Sequence, residues 1–183
     1  MRMELMKKFL GVAFGLALLT SVSADAADRN VSLITAFKDI CTIEPPTFAK
    51  ISQKAAAMKL VVHQELGQSK SGGQFSHNKS WFIPDTAGQY ELIAMEANGA
   101  KNHVENCGIS ATDPDGELFK KTLISAMSLT ASTSEIITSD GEMRVTSWKD
   151  EFGEGTSLIM VDGTPKGHAG VMLYYQVLTP GMP

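Results

Sequence analysis

The sequence predicts an α+β domain: a single antiparallel sheet of about five to seven strands with helices packed on one face. Three observations lead there. Two stretches near the start carry apolar residues at helical spacing, one after the other. Most of the later chain alternates in short segments bounded by Asn-Gly, Asp-Gly or proline. A single capped helix interrupts those segments at residues 112–130, so the strands before and after it belong to short-turn, antiparallel runs.

In order, residues 31–41 place Leu33, Ile34, Phe37, Ile40 and Cys41 on one helical face. Pro45-Pro46 interrupt the chain and favour a new helix start. The next helix, 46–59, carries Phe48, Ile51, Ala55 and Met58 at offsets of three and four, a core-facing stripe. Residues 60–65 read as a first strand, and the polar, glycine-rich 67–79 as a mobile loop. Trp81-Phe82-Ile83 ends at Pro84. Residues 89–96 form a strand with Tyr90, Leu92, Ile93 and Met95 on its two faces. Asn98-Gly99 marks a hairpin whose return strand, 101–110, contains Cys107.

In TDPDGEL, 112–118, Asp113 is placed to cap a helix and Pro114 to open it, with Asp115 and Glu117 in the first turn. Phe119, Leu123, Ala126, Met127 and Thr130 share its buried face. Residues 130–135 read as a polar break. Strands follow at 143–148, 157–161 and 169–178, with Asp140-Gly141 as a second hairpin signal. No internal sequence repeat stands out.

Residues 1–26 read as a secretory signal peptide. Arg2, Lys7 and Lys8 precede an apolar run, Phe9 to Leu19, and small residues follow at Ala24-Asp25-Ala26. That run is too short to span a bilayer, so no stable membrane anchor is expected after cleavage. Residues 27–183 then form a single α+β domain, periplasmic or secreted. Removing residues 1–26 from a chain with 16 basic and 20 acidic residues leaves 13 against 18, a mildly acidic domain. With no basic block, nucleic-acid binding is excluded as a main role.

In an oxidising compartment the two cysteines, Cys41 and Cys107, have each other as intrachain partner, and a disulfide is expected. There is no Cys-x-x-Cys signature of a redox centre. The helix ending Phe-x-x-Ile-Cys, the Cys-Gly-Ile strand and the helix after it resemble the layout of small exported bacterial proteins of unknown function. That resemblance implies no activity.

The remaining motifs are weak. Ser76-His77-Asn78-Lys79 matches an acylating Ser-x-x-Lys pattern, but its serine sits in the expected loop instead of at a helix start. Asp113-Pro114-Asp115-Gly116 looks like part of a calcium loop, yet Ala111 falls where the first ligand is required. His63-Gln64-Glu65 and His103-Val104-Glu105 each put an imidazole and a carboxylate two apart on a strand. Side by side, His63, Glu65, His103 and Glu105 form a set that suits zinc. The bland alternative is solvated strand side chains. Among the aromatics, Trp81, Trp148, Tyr174 and Tyr175 pack the sheet unless an exposed set marks a binding face.

The function expected is non-enzymatic binding of a protein or small ligand, on the sheet or at residues 67–80, with no cofactor. The rival is a hydrolase-type or metal-dependent enzyme with dispersed site residues.

Overall fold

The computed structural model describes residues 28–42, 46–69, 75–84, 90–99 and 101–180. The expected signal peptide, 1–26, lies outside them. Residues 28–37 form helix α1, which passes into one π-helical turn, Lys38–Thr42. Helix α2 is Phe48–Ala57 and α3 is Gly116–Met127. The strands are β1 (Val61–Ser69), β2 (Phe75–Ile83), β3 (Tyr90–Asn98), β4 (Asn102–Ala111), β5 (Ser134–Ile137), β6 (Arg144–Lys149), β7 (Thr156–Asp162) and β8 (Val171–Pro180).

Among the described residues these eight strands make one antiparallel sheet in the order β1-β2-β3-β4-β8-β7-β6-β5. The chain thus runs a helix and a four-strand meander twice, α2 with β1–β4 and α3 with β5–β8. The two meanders join where β4 pairs β8, Cys107 opposite Tyr175. The architecture is the expected α+β arrangement. The strand absent from the sequence reading is β5. All four of its residues are exposed, so it carries no burial alternation to read.

Strand alternation divides the sheet into two faces. The inner face sends Trp81, Leu92, Cys107, Ile109, Leu158, Leu173 and Tyr175 into one core with the helices. From α1 that core takes Leu33, Ile34, Phe37, Ile40 and Cys41, every position the spacing selected. From α2 it takes Ile51 and Ala55, while Met58, now the C-cap, is 48% exposed. From α3 it takes Phe119 and Leu123, and Ala126 and Thr130 turn outward. The Cys41–Cys107 disulfide is formed, with Cα atoms 5.4 Å apart and both residues fully buried. It ties the end of α1 to the centre of the sheet.

Two local expectations are corrected. Most of the loop expected at 67–79 is strand, with β1 running to Ser69 and β2 starting at Phe75. Ladder pairing of Gly67 with His77 and of Leu66 with Asn78 overrides the polar composition. The α3 cap is Asp115, not Asp113. Its carboxylate accepts from Leu118 N at 2.8 Å, while Asp113 pairs with Arg29 at 2.7 Å.

Helix α3 starts where it does because Gly116 packs directly on the β7 end. A Cβ there would lie 2.6 Å from Asp162 Oδ1 and closer still to Thr164 Oγ1. Gly116→Ala is expected to destabilise the domain by about 1–3 kcal/mol through overpacking, read as a lower urea midpoint with unchanged slope.

Candidate functional site

The proposed zinc set is not assembled. A β-bulge between Val62 and Gln64 breaks the two-residue alternation in β1. His63 therefore faces outward, stacked on Phe82 with ring centroids 4.3 Å apart and its Nδ1 2.6 Å from Glu91 Oε1. Glu65 faces inward, 2.6 Å from Lys79 Nζ and 3.1 Å from His77 Nε2. The hydrogen bond from Lys79, helped by His77, holds the Glu65 carboxyl below the usual carboxylate range. His103 lies on β4, separated from β1 by β2 and β3, beside Glu105 at 3.4 Å and Asn98 Oδ1 at 2.6 Å. Among the described residues no group of three or more His, Cys, Asp or Glu is placed to hold a metal ion. Ser76 and Lys79 lie on opposite faces of β2, so the Ser-x-x-Lys match has no acylating geometry.

The outer face of the sheet, with no described helix against it, holds a cavity of about 320 Å³ across β2, β3, β4, β8 and β7. That size sits at the low end of the roughly 300–1,000 Å³ typical of small-molecule sites. Ile93, Met95, Ile159 and Met172 supply apolar walls, and Tyr174 crosses the middle. The polar lining consists of three carboxamides, Asn78, Asn106 and Gln176. Asn106 and Gln176 are direct partners across the β4–β8 seam, and Asn106 also faces Met95 on β3.

Gly108 makes room for Tyr174. The two are paired residues, and a Cβ on Gly108 would lie 2.6 Å from Leu173 O and 2.7 Å from Tyr174 Cδ1. The tyrosine ring therefore lies close over the bare backbone of β4. Its hydroxyl donates to Met172 Sδ at 3.3 Å, and burial pushes the phenol above its ordinary pKa. Asn106 Oδ1 is buried and accepts no hydrogen bond. A buried, unpaired carbonyl oxygen costs about 1–3 kcal/mol, a penalty relieved when the side chain turns to meet a donor in the cavity.

Of the lining residues, the sequence reading named Ile93 and Met95 as strand residues without a role, and Tyr174 among the aromatics that pack the sheet or mark a binding face. Asn106, Gln176 and Asn78 were missed as a group. A legible signal existed in HVENCGI: an amide and an interior glycine, two apart in one strand, mark a point of close approach on one face. The other strand aromatics, Trp81, Trp148 and Tyr175, are buried on the inner face.

No family model, curated protein or solved structure matches the chain. Among the described residues no helix is long and apolar enough to cross a membrane.

Proposed function

We propose that this is an exported, non-enzymatic binding protein that holds a small, uncharged, largely apolar molecule on the outer face of its sheet. The carrying observation is the buried, unpaired Oδ1 of Asn106, a residue that lines a largely apolar cavity. It calls for a ligand with an N–H or O–H donor. The lining favours binding over catalysis. Its polar groups are carboxamides and a phenol that stays protonated at neutral pH, so it offers no general base there. Export is supported by the formed disulfide, which suits an oxidising compartment, and by the signal-like pattern of residues 1–26.

The test uses N-phenyl-1-naphthylamine, a neutral aromatic dye with one N–H, and its N-methylated analogue. Saturable fluorescence enhancement is expected, with the N–H dye binding about 2- to 10-fold more tightly than the analogue, the worth of one hydrogen bond. In Asn106→Leu that preference is expected to vanish while the fold persists. Absence of saturable binding would overturn the reading, as would a preference that survives the substitution.

A further inference from the structure

A second cavity, about 250 Å³, adjoins the first on the same face, and Met172 lines both. The strands show how they connect. On β4 the lining passes from Asn106 to Ser110, on β7 from Ile159 to Val161, and on β8 from Gln176 and Tyr174 to Met172. Ser110 and Val161 both pair with Met172, so all lie on the outer face. Ser110 lies four residue steps along β4 from Asn106, a run of about 14 Å. Through their shared Met172 the two cavities adjoin.

The two cavities differ in the kind of polar group they offer. Three carboxamides gather at the first end, each offering an acceptor and a donor, the complement of an amide group. Beyond Met172 the outer-face lining is Val161, Met143 and Ser110, with Thr112 and the exposed Glu142 and His168 as further polar groups. At the carboxamide end no lining residue offers an anionic head a counter-charge.

We propose that the natural ligand is a linear neutral amphiphile with an amide head: the head sits at Asn106, Gln176 and Asn78, and the alkyl chain runs over Met172 into the second cavity. This rests on the binding function proposed above and names its ligand class. The amide N–H meets Asn106 Oδ1, and the tail takes the apolar walls.

The experiment is displacement of N-phenyl-1-naphthylamine by straight-chain primary amides of six, eight and ten carbons, with decanoate as control. Affinity is expected to rise about fourfold per added methylene through the whole series, the increment for burying a CH₂. Decanoate, an acceptor-only head, is expected to bind at least tenfold more weakly than decanamide. Val161→Phe, which fills the second cavity, is expected to leave hexanamide unchanged and to abolish the gain beyond it. Met143→Phe serves the same purpose from β6's approach if the first variant does not fold. If the dye binds but affinity stays flat with chain length, or decanoate equals decanamide, the amphiphile assignment is overturned while the binding reading stands. If neither dye nor amide binds, both fall.

Discussion

Reducing the Cys41–Cys107 disulfide, or replacing both cysteines with alanine, is expected to lower the melting temperature by roughly 10 °C or more. The bridge joins residues 66 apart in sequence. The loop-closure model assigns such a cross-link about 4 kcal/mol, through the entropy it removes from the unfolded chain. That is a large share of the ~5–15 kcal/mol that holds a typical domain folded. Location adds to the effect. Cys41 is the C-terminal anchor of α1, and Cys107 lies at the β4–β8 seam that joins the two meanders. The stated measurement is thermal unfolding by circular dichroism with and without reductant, with free thiols counted. Two free thiols and an unchanged transition would show that core packing alone fixes α1.

The helix α1 stripe and the β3 and β4 strands were legible because burial on one face leaves a periodic trace. Leu33, Ile34 and Phe37 mark a period of 3.6, and Tyr90 and Leu92 a period of two. The disulfide was legible because two cysteines in an oxidising compartment leave one intrachain pairing. Strand β5 and the ends of β1 and β2 left no such trace. The β5 side chains are exposed, residues 67–79 are polar and glycine-rich, and these segments are strands because a neighbour supplies the ladder. The zinc reading failed in two places: β2 and β3 separate β1 from β4, and β1 does not alternate throughout. It assumed unbroken alternation in β1, and the bulge at His63 turns that side chain to the opposite face from Glu65. Bulges depend on tertiary pairing, which a single strand does not encode. The candidate cavity was hidden for a related reason. Asn78, Asn106 and Gln176 come from three strands, and Asn106 and Gln176 become neighbours only through the β4–β8 crossover pairing.

Asp162→Ala is expected to cost about 3–5 kcal/mol, because it strands a buried guanidinium. Asp162 is fully buried and Arg144 nearly so. The carboxylate accepts from Arg144 Nε at 3.0 Å through Oδ2 and from Thr164 N at 3.0 Å through Oδ1. Arg144 also pairs with Glu117 at the start of α3, and its Nη2 is buried without a partner. Burial pulls the Arg144 pKa down, and the hydrogen bonds to Glu117 and Asp162 outweigh that, leaving it above its ordinary value. Glu117 is exposed, so Glu117→Gln is expected to cost no more than about 1 kcal/mol. The asymmetry arises from desolvation. Solvent takes over from Glu117, whereas nothing reaches the Nε side of Arg144 once Asp162 is gone. A double variant, Arg144→Met with Asp162→Leu, is expected to recover most of the loss, since an apolar pair of similar volume carries no desolvation penalty. Urea unfolding of the single and double variants decides the point. Additive losses in the double variant would mean that Asp162 acts chiefly by holding the Thr164 turn, and that the ion pair contributes little to docking α3 on β6 and β7.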